Sequence, residues 1–195
     1  MIKRRLFIAI NLPEDAKERL MGFQGKCLST EALAEVEMED KINWVIKPNL
    51  HITLVFLGYM NDDEMYEICQ MLKDVAKRHE PFSIKLEKII VGPPNATPRM
   101  FWVEGRESKE LAELQKDLGE SIAGRVYFKQ ENRAYKPHIT LARFKYEVAK
   151  KLRELPEVSE PLNIEIPVES IDLMQSNLKR TGPVYAVLES IELGE

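Results

Sequence analysis

The sequence predicts an α+β fold of mainly antiparallel sheets, a single domain over 1–195 built as two halves that each bring one strand to a shared cleft. Three observations carry this reading. The tetrapeptide His-Ile-Thr-Leu occurs twice, as His51-Ile52-Thr53-Leu54 and His138-Ile139-Thr140-Leu141, each shortly after a Lys-Pro pair (Lys47-Pro48 and Lys136-Pro137). The copies lie 87 positions apart, too long a period for a solenoid but suited to a duplicated half-domain. Strand-like and helix-like segments mix without the regular βα alternation of a parallel sheet. No linker divides the 195 residues, and a hydrophobic content of 44% is enough for a sizeable core.

Taken in order, Leu6 to Ile10 is an apolar β-rich run, and Pro13 pre-sets the first turn of a helix with Ala16, Leu20 and Phe23 on one face. Ile42 to Ile46 reads as a strand, Pro48-Asn49 as a turn, and Leu50 to Leu57 as the first motif strand, closed by Gly58. Asn61 caps a helix with Met65, Ile68, Leu72 and Val75 at helical spacing, expected to run to about His79. Phe82 to Leu86 and Ile89 to Val91 are strand segments, followed by a proline-rich loop and a strand over Met100 to Val103. Ser108 caps a third helix carrying Leu111, Leu114, Leu118 and Ile122. The second motif strand ends over Arg143 to Tyr146. A short helix over 147–155 follows, then strands over 162–166, 170–174 and 184–193, the last two joined by a loop holding Asn177 and Gly182-Pro183.

A net charge of -4 and a pI near 5.6 argue against a protein that clamps many phosphates of a duplex, while a site for one or two phosphates stays open. The charged fraction of 31%, rich in Lys and Glu, is compatible with a heat-adapted source. Cys27 and Cys69 fall in helix-like segments and read as reduced, buried thiols, and no Cys/His cluster suggests a metal. The apolar run after Lys3-Arg4-Arg5 is too short for a signal peptide and nothing reaches the length of a membrane span, so the expected location is cytoplasmic.

Side chains alternate faces along a strand, so His51 and Thr53 share one face while Ile52 and Leu54 share the other; His138 and Thr140 repeat the pattern. Two imidazoles and two hydroxyls on one cleft suit proton transfer at both ends of a phosphodiester, with hydroxyl donors on the phosphoryl oxygens and no metal or other cofactor. The unperturbed imidazole pKa of about 6.5 leaves both protonation states accessible near neutrality. One histidine would take a proton from water and the other give one to the departing oxygen, in either order as far as strand parity goes.

These paired strands, with Phe56-Leu57-Gly58 after the first and Ala142-Arg143 after the second, resemble the two-histidine phosphoesterases and, within them, the RNA 2',3'-cyclic phosphodiesterase family once described as 2'-5' RNA ligases. Leu6-Phe7-Ile8-Ala9, Asn49-Leu50-His51, Pro98-Arg99 before Trp102, Ser176, and Gly182-Pro183-Val184-Tyr185 extend the resemblance over nearly the whole chain. It implies a bilobed fold with a pseudo-two-fold axis, each lobe a mainly antiparallel sheet with helices on its outer face and the active-site cleft between lobes. It also implies His51 as proton donor to the leaving ribose oxygen, His138 as base for water, Thr53 and Thr140 as phosphoryl contacts, and a 2'-phosphomonoester product. Arg143 matches the family's arginine five residues after the second histidine, yet simple alternation puts it on the face opposite His138, so the strand must bend or end before it.

Trp44 and Phe7 are candidates to stack on a nucleobase, with core packing the competing role. Tyr135 adjoins the second motif as a candidate lining residue. Arg99 reads equally as a phosphate contact or a solvated arginine, His79 as a solvated residue at a helix end, and Lys3 to Arg5 as a solvated strand end. The partner implied is RNA with a 2',3'-cyclic phosphate end, or a related small nucleotide, acted on by a monomer with no membrane partner. Joining of 2'-5' RNA ends, cleavage of 2'-5' linkages, and a non-catalytic RNA-end or nucleotide binding module stay open beside hydrolysis.

Overall fold

The computed structural model describes residues 2–28, 42–93, 97, 99–123, 135–144, 161–180 and 182–195. Strand β1 (Arg4–Asn11) carries the first apolar run and leads through Pro13 into helix α1 (Glu14–Leu28), whose Ala16 and Leu20 are buried. The short strand β2 (Ile42–Trp44) and a 3-10 turn (Lys47–Asn49) precede β3 (His51–Met60). Helix α2 (Asp62–Ala76) opens on a capping box in which Asn61 Oδ1 accepts from the Glu64 amide at 2.9 Å and Glu64 Oε2 accepts from the Asn61 amide at 2.8 Å. Then come β4 (Phe82–Gly92), β5 (Met100–Gly105), α3 (Lys109–Ala123), β6 (His138–Phe144), β7 (Pro161–Val168), β8 (Ser170–Lys179) and β9 (Gly182–Glu192). Ser108 Oγ caps α3 by accepting from the Leu111 amide at 3.0 Å, and Leu111, Leu114, Leu118 and Ile122 are all buried.

Every strand pair among the described residues is antiparallel, and the order β7-β4-β5-β6-β3-β1-β8-β9 divides at its middle into two four-stranded halves, with β2 on β6. Among the described residues, the strands of the two halves pair at Ile52 with Ile139, the isoleucines of the two motifs. The unit β1-α1-β3 corresponds to β5-α3-β6, as a duplication requires. The helices cross between halves: α3 packs beneath β3, while α1 donates from Arg19 to the Asn163 carbonyl of β7 and from Gln24 to the Leu141 carbonyl of β6. One apolar core, including Leu20, Ile52, Leu72, Leu118 and Ile139, fills the side of the sheet that the helices cover.

The duplication extends to an irregularity. The β1–β3 register passes from Ile8 with Val55 to Ala9 with Thr53, omitting Leu54; the β5–β6 register passes from Phe101 with Ala142 to Trp102 with Thr140, omitting Leu141. The leucine of each motif is thus the extra residue of a β-bulge, which shifts side-chain parity beyond it. Leu54 and Val55 are both buried, as are Leu141 and Ala142, and the next residues, Phe56 and Arg143, come back to the face of the histidines. Simple alternation fails here for that reason, and no end to the strand is needed.

Other boundaries differ from expectation. Gly58 does not close β3, which continues to Met60 past a second register shift with Gly58 at φ 82°. Asn177 lies inside β8, paired with Val184, rather than in a loop. Helix α2 stops at Ala76, and His79 is not a solvated helix terminus: its Nε2 lies 2.9 Å from Asp117 Oδ2 of α3. Cys69 is a free, partly buried thiol that burial pushes up in pKa. The Cys27 side chain and the expected helix over 147–155 lie outside the described residues.

Candidate active site

The two motif strands lie side by side at the centre of the sheet, and the face away from the helices carries His51, Thr53, His138 and Thr140. In both copies the imidazole is held in the same way. His51 Nδ1 is 2.7 Å from the Asn49 carbonyl oxygen, and His138 Nδ1 is 2.9 Å from that of Lys136, in each case two residues upstream. A carbonyl only accepts, so each Nδ1 carries the proton and Nε2 is the basic nitrogen of the neutral ring. Nε2 of His51 lies 3.0 Å from Thr53 Oγ1, whose hydroxyl donates to the neutral imidazole. Burial lowers the pKa of both rings and the Arg143 guanidinium lowers both further, so the free site favours the neutral forms. Arg143 is exposed, and its action on both histidines follows from the bulge that returns it to their face.

The surroundings of the two rings differ. The Phe7 ring lies 5.1 Å from His51 and Tyr185 stands edge-on to it, also at 5.1 Å, while Trp102 lies 4.3 Å from His138. Phe7 is only 3% exposed, so its ring forms the floor under His51 and Tyr185 rather than a free stacking surface. Trp44 is not brought to the histidines. It pairs with Ala142, stacks on the core residue Phe101 at 6.1 Å, and packs against the apolar core. Tyr135 is half-buried, and its hydroxyl donates to the Thr53 carbonyl oxygen at 3.1 Å, reaching from the second half of the sheet to the first. Burial raises its phenol pKa, so it stays a donor. Arg99 is exposed, and its carbonyl oxygen accepts from the Phe144 amide at 2.9 Å, extending the pairing of β5 with β6.

Three neighbours escaped the sequence reading as site residues. Trp102 has a buried indole N–H with no partner among the described residues, and its ring lies so close over Gly92 that a Cβ there would meet a ring carbon at 2.4 Å. Tyr185 packs on both His51 and Phe7. Asp172, in register with Ala9, is buried on the histidine face and accepts from Ser190 Oγ at 2.6 Å; burial raises its pKa. Both aromatics were visible only as sequence landmarks, and strand pairing, not spacing, makes all three neighbours. Among the described residues no group of three or more His, Cys, Asp or Glu side chains gathers as a metal site.

The chain is similar to known proteins in sequence and in fold. The 2'-5' RNA ligase superfamily matches residues 32–180. A Methanocaldococcus jannaschii protein named RNA 2',3'-cyclic phosphodiesterase is 33% identical over 95% of this chain and 98% of its own. A Thermus thermophilus protein of the same name is 32% identical over 97% of this chain and 90% of its own. Among solved structures, one from Thermus thermophilus superposes with a TM-score of 0.79 at 30% identity, covering 97% of this chain and 98% of the other. E. coli LigT complexed with 3'-AMP shares the fold with a TM-score of 0.74 at 24% identity, and each chain is covered in full.

Proposed function

The chain belongs to the 2'-5' RNA ligase superfamily, and from that premise we propose that it is a phosphoesterase that hydrolyses RNA 2',3'-cyclic phosphate ends to 2'-phosphomonoesters, with His51 and His138 as the proton-transfer pair and no metal ion. The observation that carries the reading is the identical tethering of the two imidazoles. With both Nδ1 protons committed to carbonyls, each Nε2 is the nitrogen that exchanges protons with a substrate lying between the strands.

In the reaction, His138 Nε2 takes a proton from water as the water oxygen bonds to phosphorus. The P–O3' bond breaks, and His51 Nε2–H gives its proton to O3', leaving the phosphate on O2'. Thr53 couples two of these events. Its hydroxyl donates to His51 while the ring is neutral; once Nε2 is protonated that bond cannot persist, and the hydroxyl is released to donate to a phosphoryl oxygen. Thr140 is the corresponding donor in the second half. The anionic phosphodiester offsets Arg143 and so favours the protonated imidazole that the free site disfavours.

The test is incubation of a cyclic-phosphate oligonucleotide with excess chelator, followed by product analysis. Full turnover to the 2'-phosphate is expected. Activity lost with chelator, or a 3'-phosphate product, overturns the mechanism. His51→Ala and His138→Ala are each expected to cost at least about 10²-fold in kcat, the usual contribution of one positioned acid or base, with the fold intact by circular dichroism.

A further inference from the structure

The histidine face continues past the bulge as a second surface that the hydrolytic step does not use. In β3 the residues returned to that face are Phe56 and Tyr59, which are 65% and 64% exposed. Phe56 is in register with Phe7, and their ring centroids are 6.3 Å apart; Phe7 in turn lies 5.1 Å from His51, so Phe56 stands one ring beyond the imidazole. Tyr59 is in register with Arg5, an exposed cation with no ion pair among the described residues, whereas its neighbour Arg4 pairs with Asp62. Phe56 and Tyr59 are three residues apart, but the second register shift sets them opposite Phe7 and Arg5, which are two strand steps or about 7 Å apart, close to the reach of one nucleotide in an extended single strand.

We propose that Phe56, Tyr59 and Arg5 form a track for single-stranded RNA leading into the site, with Phe56 stacking the terminal base, Tyr59 stacking the base before it, and Arg5 contacting the phosphate between them. The proposal rests on the cyclic-phosphate reading above. A 2',3'-cyclic phosphate closes the 3' end of a chain, so the rest of an RNA can leave the site only through its 5' oxygen, and the track supplies a path beginning one ring from His51. Exposed aromatics interleaved with an arginine bind single strands without reading sequence, because every base has a π-face. An acidic protein with one short basic and aromatic strip is thereby suited to RNA ends rather than duplexes.

The experiment compares kinetics on a 2',3'-cyclic mononucleotide with those on a short oligonucleotide ending in the same group. Tyr59→Ala and Arg5→Gln are expected to raise KM for the oligonucleotide about ten-fold, in the range of one lost stacking or phosphate contact, and to leave the mononucleotide unchanged. Arg5→Gln also flattens the salt dependence of oligonucleotide binding by about 0.7 in the log–log slope, the value for one single-strand phosphate. Equal effects of either variant on both substrates, or no effect on either, overturn the track while leaving the hydrolytic reading intact. If the wild-type protein leaves every cyclic phosphate intact, the hydrolytic reading fails. The track is then decided by fluorescence anisotropy of a labelled single-stranded oligonucleotide: weaker binding by both variants supports it, and unchanged binding overturns it.

Discussion

At His138 the neighbouring charges pull in opposite directions: Arg143 lowers the pKa, and Glu104, its register partner on β5, raises it. At His51 the charges of Arg143, His138 and Lys17 all lower it. The two rings are therefore told apart by charge, and the proposed order, with His51 as acid and His138 as base, can be tested against its reverse at Glu104. Glu104→Gln separates the two orders. It lowers the His138 pKa, so if His138 is the base the neutral fraction grows and kcat/KM rises on the acidic limb; if His138 is the acid, kcat/KM falls near neutrality. Arg143→Met, by removing a charge that lowers both rings, is expected to move both limbs of the pH–rate profile to higher pH, and an unmoved profile would show that Arg143 lies too far from them to matter. The sign for stability follows from the same shifts. Both folded pKa values lie below the unfolded value of about 6.5, so the unfolded chain binds more protons as pH falls below it, and stability present above that pH is lost as pH drops through the folded values. Thermal unfolding across that range, with His51→Gln and His138→Gln as controls, checks it. At this scale the histidines and threonines were legible because they are repeated in the chain. Glu104, Trp102 and Asp172 were not, because each owes its position to a strand partner far away in sequence.

Among the elements, the bulged motif strands and the glycine beneath Trp102 set the shape of the histidine face. Gly92 is needed for space: the Cβ of an alanine would sit 2.4 Å from one Trp102 ring carbon and 2.7 Å from another, on a ring that is itself against His138. Gly92→Ala is expected to destabilise by about 1–3 kcal/mol, as overpacking does, and to shift the tryptophan emission and near-ultraviolet dichroism as the indole is displaced. A variant with native spectra and native kcat would mean that the strand yields instead and that Trp102 does not position His138. Helices were the most legible elements, because periodicity and capping are local: Asn61 with Glu64, and Ser108 before Leu111, could be read directly. The bulges were not, since Leu54 and Leu141 look like ordinary inward residues until the register of the neighbouring strand is known. That one omission put Arg143 on the wrong face and hid the exposure of Phe56 beside the histidines.

For the whole molecule, the two halves of the sheet are joined, among the described residues, by the pairing of β3 with β6 at Ile52 and Ile139, so side chains that cross between them control how the motif strands face each other. Gln24 Nε2 bridges the Val45 and Leu141 carbonyls at 2.9 and 3.1 Å, tying α1 of the first half to the bulge of the second, and Tyr135 reaches the Thr53 carbonyl from the other direction. The duplication was plain in the sequence, but this reciprocal exchange was not, because neither residue belongs to the repeated words. Tyr135→Phe isolates the Tyr135 tie. The ring keeps its packing against the core, and only the hydroxyl and its bond to Thr53 are lost. The expected stability cost is about 1 kcal/mol, the usual net value of one hydrogen bond, offset in part where water reaches the freed carbonyl. If the bond also fixes the spacing between the halves, kcat on a cyclic phosphate falls by more than KM rises, since small displacements of two proton-transfer groups slow the chemical step more than they weaken binding. A variant that loses stability but keeps kcat would make Tyr135 a strut only, and the spacing of the two imidazoles would then be fixed by the motif strands themselves.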